Sequence, residues 1–436
     1  MTLKLNLIFL LLLSQNSVCQ NIKIIMNTQT GNGPFSGAAY SLILRNSDLY
    51  KFPSKSITKY IIERVSFQKE KKICEDFRQG MLSKEEFESY IPEYPLLPVL
   101  LKTNRQTKHF LDVFVGEIDA NYRVIIVDKD RDADFTNDYV YKIEGNFNLK
   151  MRENKNAMKS IPTLEISYEY DNGIKPQWVK TNILINPFKT ALISSIPIEN
   201  ELPLLIQSNQ FKKGIFKLNN KDYTVAVTNN DISAEYKPER AEFLIFKPNE
   251  DDTKKNDSNL LFFKMNDKIK IENSTFILSK ISSFGDTLFL TKSSDSTLYG
   301  IHTGDYVSQS LLKNWIEKDK YLLIDFWGTW CAPCIESLPE LGSLYKKLNK
   351  DKIQLLSVAS KSDSVKMKKI IKKYNMSWLH KSENVTVNDN GFVNTLRVTV
   401  FPTLILIAPD GQIIERKNSI TEIKKKLNDL SLIKIN

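Results

Sequence analysis

The rhythm of the sequence changes near residue 300, and that change constrains the fold more than any other feature. Downstream, strand-like and helix-like runs take turns: "SQSLLKNWIEKD", "KYLLIDFWG", "CIESLPELGSLYKKL", "IQLLSVAS", "VKMKKIIKKY", "FPTLILIAPDG", "QIIERK" and "ITEIKKKLNDL". Alternating strands and helices predict a largely parallel sheet covered by helices. The last two strands, separated by Pro409-Asp410-Gly411, read as a hairpin.

Residues 20–300 read mainly as strands instead. Runs such as "HFLDVFVGEI", "YRVIIVD", "TLEISYEY", "KDYTVAVT", "STFILSKI" and "DTLFLTK" are short, β-branched or aromatic, and separated by polar turns. One early helix is predicted at "SKEEFESYI", with Ser83 and Glu86 forming a capping box. A chain of 436 residues is long enough for two or three domains. The predicted fold is therefore multidomain. A β-rich N-terminal region, sandwich-like or made of two β modules, spans 20–300, and an α/β region spans 301–436.

The opening "MTLKLNLIFLLLLSQNSVCQ" has one early charge, Lys4, then an apolar run too short to span a bilayer. That is the layout of a secretory signal peptide, residues 1–19, cleaved after Cys19. The rival reading is lipoprotein anchoring at Cys19. No later stretch is apolar enough to cross a membrane. The expected location is across the inner membrane, in the periplasm. The formal charge of +10 comes without an arginine-rich tract or an aromatic-basic stripe, so nucleic-acid binding is excluded as a working class. A basic surface would favour an acidic protein partner.

The chemistry concentrates in "DFWGTWCAPC", residues 325–334. Zinc needs four ligands, or three and a water, and neither Cys74 nor His109, His302 or His380 forms a second close pair. A structural staple over so small a loop would gain little and carry strain, whereas labile disulfides are the catalytic ones. An apolar strand runs into the cysteines and a helix begins there, which puts the Cys331 sulfur at a helix N-terminus that favours thiolate. Pro333 suits the first turn. Cys331 is the expected nucleophile. Cys334, one turn in and more buried, resolves the mixed disulfide. Asp325, beneath the helix start, would be desolvated and suited to take the Cys334 proton. Cys74 reads as a small buried apolar residue.

With those residues in register, residues 301–436 resemble the thioredoxin superfamily, and specifically the TlpA/ResA-type periplasmic thiol–disulfide oxidoreductases. The match rests on Trp330, Cys331, Pro333 and Cys334, on Pro339 in "ESLPEL", and on "VFPTLILIAPDG". The resemblance implies a cis Pro402 facing the cysteines, with Phe401 backbone and Trp330 beside an extended substrate. It implies protein thiol or disulfide substrates, a membrane or soluble electron donor, the reductase direction, and no cofactor beyond the Cys331–Cys334 disulfide. Two positions depart from the family: Ser337 stands where a glutamate is usual, and Asp325 where Asn or another residue is common. Trp378 reads as core, with a substrate groove as its rival, and His380 as a surface histidine.

Two other functions compete. A peroxiredoxin-type peroxidase would need its cysteine in a Pro/Thr-rich loop, which "WCAPC" is not. Alternatively, residues 20–300 form a binding module for a protein or surface polymer, with an accessory redox domain. One further candidate lies there. In "DKDRDADFTND", Asp128, Asp130, Asp132 and Asp134 alternate like the start of a calcium loop, but Ala133 and Tyr139 replace the expected Gly and Glu. An acidic hairpin turn is the default reading and calcium the rival.

Overall fold

The computed structural model describes residues 21–35, 39–40, 43–44, 50–51, 57, 59–119, 121–146, 161–187, 202, 205–248, 250, 261–294, 300–384 and 391–434. The signal-peptide reading, with Cys19, lies outside them. No helix among them is long and apolar enough to cross a membrane.

Among the described residues, four antiparallel sheets fill the N-terminal region and pack in two pairs, each around a core. One sheet runs in the order Asn21–Ile25, Thr287–Lys292, Ser274–Ile281, Lys268–Ile271; its companion runs Glu242–Phe246, Lys221–Thr228, Gln210–Leu218, Asn27–Thr30. Ile24, Phe216, Val225, Phe243, Phe276 and Leu288 meet between them. Gly214 lies where the first strands cross: a Cβ there would sit 2.6 Å from Met26 Sδ and 2.7 Å from the Ile25 carbonyl oxygen.

The second pair comprises Ile43–Leu44, Lys59–Ser66, Phe110–Asp119, Tyr122–Asp128, Val140–Glu144 on one side and Ala39–Tyr40, Leu205–Ser208, Pro176–Asn186, Thr163–Asp171 on the other. Thr163–Asp171 shows why they pack. Leu164, Ile166 and Tyr168 point inward while Thr163, Glu165 and Ser167 point to solvent. These two pairs are not consecutive. The chain starts one with residues 21–30, builds the other up to Ser208, and returns to the first at Gln210.

The expectation of a mainly stranded region with one helix needs correction. Three helices, Lys69–Arg78, Lys84–Tyr90 and Leu97–Thr103, pack around Ile73, Cys74, Phe87, Tyr94, Leu97 and Leu100. The capping box of Ser83 and Glu86 is present on the middle one.

The C-terminal sheet runs Leu379–Glu383, Ile353–Ser360, Tyr321–Trp327, Thr403–Ile407, Ile413–Lys417; the first three are parallel, Thr403–Ile407 runs antiparallel to the central strand, and Ile413–Lys417 pairs antiparallel with Thr403–Ile407 in turn. Both faces are covered, which explains the unbroken apolar run of the central strand. Leu322, Ile324 and Phe326 face a core with Phe392, Leu396 and Ile405. Leu323 and Trp327 face helices Ala332–Lys347 and Ile420–Asp429. "SQSLLKNWIEKD" yields only a four-residue helix, Gln309–Leu312. The two regions touch through a bidentate Arg397–Asp267 pair at 2.6 and 2.7 Å, and through Phe263 against His302.

Candidate functional site

The site grows from the end of the central strand. Cys331 is the N-cap of helix Ala332–Lys347, with Pro333 in the first turn. Its Sγ accepts the Cys334 backbone N–H at 3.2 Å and is bonded to Cys334 Sγ. An N-terminal N–H aimed at sulfur favours thiolate once the bond is reduced. Cys334 is 1% exposed and Cys331 4%. The helix runs through Pro339, which cannot donate to the Ile335 carbonyl. Ser337 Oγ donates to the Cys334 carbonyl at 2.8 Å, and Glu336 is exposed. Neither offers a carboxylate to the sulfurs.

Asp325 occupies the face of the strand that Leu323 and Trp327 share, two residues from each. Its neighbours across the sheet are Ser357 and Leu404. Burial pushes its carboxyl up to about 6, while a hydrogen bond from Ser357 pulls the other way. Ser357 Oγ donates to Asp325 Oδ2 at 2.7 Å, and Trp378 Nε1 donates to Ser357 Oγ at 2.8 Å. Trp378 is therefore a buried member of the core that holds both cysteines, not a groove residue. His380 is half-buried rather than on the surface. Its Nε2 bonds the Met376 carbonyl at 3.0 Å and its ring lies against Trp378. Ser357 went unnoticed in the sequence. Its signal was a hydroxyl at the centre of "LLSVA".

Trp330 is 54% exposed beside the cysteines. Its indole donates to the Ser360 carbonyl at 2.9 Å and its ring meets Phe401 edge-on at 5.2 Å. Gly328 makes room for it, since a Cβ there would lie 2.7 Å from the indole. The Phe401–Pro402 peptide bond is cis. Register places Pro402 level with Trp327, one step beyond the pair Phe326 and Thr403. Trp330, Phe401 and the exposed Val400 thus present an apolar rim next to Cys331.

In the N-terminal region, Cys74 is fully buried, and burial raises its thiol to about 11. In the reduced native protein it should stay unalkylated by iodoacetamide while Cys331 reacts, and react only on unfolding. Mass-spectrometric counting of labelled cysteines checks this, and rapid native labelling of Cys74 would contradict it. The acidic turn is divided differently from its sequence pattern. Asp128 accepts the N–H groups of Arg131, Asp132 and Ala133. Asp132 accepts from Asp134 N and Asn137, and Asp134 pairs with Lys51 at 2.9 Å. The carboxylates that approach one another are Asp128, Asp130 and Asp138. The alternate-position set is thus corrected: Asp132 and Asp134 tie the turn together, and Asp138, which the spacing did not single out, joins the other two.

A family model described as thioredoxin-like matches residues 319–413. The chain is 27% identical over 117 residues to the thiol-disulfide oxidoreductase ResA of Bacillus thuringiensis subsp. konkukian (strain 97-27), covering 25% of this chain and 65% of that protein. It is 26% identical over 98 residues to the ResA of Bacillus subtilis (strain 168), covering 22% of this chain and 52% of that one. Among solved structures, a thiol-disulfide oxidoreductase from Bacteroides fragilis NCTC 9343 is 26% identical, covering 30% of this chain and 99% of that one, with a TM-score of 0.25. The chain spans about two thirds or less of these curated relatives. Its C-terminal region matches the thioredoxin-like family model and is similar in sequence to ResA proteins.

Proposed function

We propose that this chain is a thiol–disulfide oxidoreductase acting on protein disulfides outside the cytoplasm, in the reductase direction. The observation that carries the reading is the Cys331–Cys334 pair at a helix N-terminus, packed on the face of the central strand that the buried Asp325 shares with Leu323 and Trp327. Cys331 thiolate attacks one sulfur of a substrate disulfide, and the other sulfur leaves as thiolate. Cys334 then gives its proton to Asp325 and attacks Cys331 Sγ, which releases the second substrate thiolate. Two electrons have passed to the substrate, and the pair is left as a disulfide. A dithiol donor, membrane-bound or soluble, must reduce it again.

The direction follows the resemblance to TlpA/ResA-type reductases. The reduction potential, measured by equilibration with glutathione or dithiothreitol buffers, tests it. A value near roughly −270 mV fits a reductase, and one near about −120 mV reverses the direction. A pair that does not cycle ends the redox reading.

A second reading keeps residues 20–300 as a binding module. It is favoured by a cavity of about 340 Å³ whose lining includes Lys69, Tyr94, Lys237 and Arg240. Specific capture of a partner by the full chain that survives loss of both cysteines would support it.

A further inference from the structure

Trp378, Ser357 and Asp325 come from three different segments and meet in one buried line. The order of donors along this line is forced by chemistry. An indole N–H only donates, and a carboxylate only accepts. A hydroxyl has a single proton. With Trp378 occupying a lone pair of Ser357, the Ser357 proton is committed to Asp325 Oδ2. Both dipoles then point their positive ends at the carboxylate.

From this geometry we infer that Trp378 and Ser357 are positioning residues for Asp325: a two-link relay that holds the carboxylate under the Cys331–Cys334 helix and biases it toward its ionised form. The inference rests on the oxidoreductase reading, in which Asp325 receives the Cys334 proton.

The surroundings leave few other groups to do this. On the helix side, Cys331 and Cys334 belong to the core that Leu323 and Trp327 enter from the same strand face, and Thr403–Ile407 supplies the apolar Leu404. Ile353–Ser360 supplies Ser357. His380, on Leu379–Glu383, reaches the line through Trp378, and burial lowers its pKa against the pull of the Met376 carbonyl. Burial and the Ser357 bond alone account for the Asp325 shift. The relay also touches the redox helix directly, since the Tyr345 ring lies 5.0 Å from that of Trp378. Ser357 is 0% exposed and Trp378 8%. Water therefore has little access to replace either link.

The test is the pH dependence of resolution, read as release of the second substrate thiol from the Cys331 mixed disulfide in the full chain. Removing the Ser357 hydroxyl removes a bond to the charged form, so Ser357→Ala should move the acid limb of the profile up by about one pH unit. Trp378→Phe keeps an aromatic ring but loses the donor, and should move it the same way by less. Ser357→Thr, which keeps a hydroxyl, should restore the wild-type limb. A role confined to packing would lower the rate without moving the limb.

Two failures can be told apart. If Asp325→Asn removes the limb while Ser357→Ala and Trp378→Phe leave it in place, the relay is wrong and the oxidoreductase reading stands. If Asp325→Asn itself leaves the limb unmoved, the proton role of Asp325 is wrong. The tryptophan fluorescence of the oxidised chain, titrated with pH, then decides the relay alone. A transition lost in both Asp325→Asn and Trp378→Phe supports it, and a transition unchanged in Asp325→Asn overturns it.

Discussion

Cys334→Ser should consume one equivalent of a disulfide substrate and then stop, with the substrate left covalently on Cys331. Cys331→Ser should show no first equivalent at all. The asymmetry follows from where the helix places the two sulfurs. Cys331 is the N-cap, receives the Cys334 N–H, and sits beside the apolar rim of Trp330 and Phe401. Cys334 lies one turn in, 1% exposed, where a protein disulfide cannot reach it before Cys331. A serine at 334 has a hydroxyl that does not attack a disulfide at neutral pH, so the mixed disulfide has no internal way out. Intact-mass analysis, with and without dithiothreitol, reads the adduct directly. Steady turnover by Cys334→Ser, or an adduct mapped to position 334, would reverse the roles of the two cysteines.

Much of this site was legible because its chemistry is local. Asp325, Trp330, Cys331 and Cys334 lie within ten residues, and the apolar strand before them fixes which face each occupies. Phe401 and Pro402 came only through the family motif, because nothing near them in sequence points to the cysteines. Ser357 and Trp378 were hidden for another reason. Each is ordinary in its own segment, and their role exists only when parallel pairing sets Ser357 opposite Asp325. The same holds for the fold. Inward and outward alternation marks strands such as Thr163–Asp171, but the pairing of Asn21–Ile25 with Thr287–Lys292 joins residues some 260 apart and leaves no local trace. The edge strand Leu379–Glu383 was missed because "LHKSE" is polar, with one of its five residues buried. In the acidic turn, alternate spacing suggested converging ligands, but backbone N–H groups compete for the same oxygens and turn Asp132 and Asp134 inward on the loop.

Asp325→Asn should also change how stability depends on pH, and the sign distinguishes this carboxyl from most. The folded-state pKa is raised from 3.8 to about 6. Between those values the folded chain holds a proton that the unfolded chain has released. Stability therefore falls as pH rises through this window and is flat above it. Two units at 1.36 kcal/mol each put the loss at about 3 kcal/mol, an upper figure for one buried group. Asparagine does not titrate. The stability of Asp325→Asn relative to wild type should consequently grow by about 3 kcal/mol between roughly pH 3.5 and pH 8, whatever the fixed cost of the amide. Urea unfolding of the oxidised proteins at several pH values, followed by tryptophan fluorescence, measures the difference. A constant offset across that range would mean that Asp325 titrates normally. It would then be ionised well before Cys334 needs a base, without the pull of an unfavourable buried charge. In the proposed reaction the two properties are linked: the energy that an ionised Asp325 costs the fold would draw the Cys334 proton onto it.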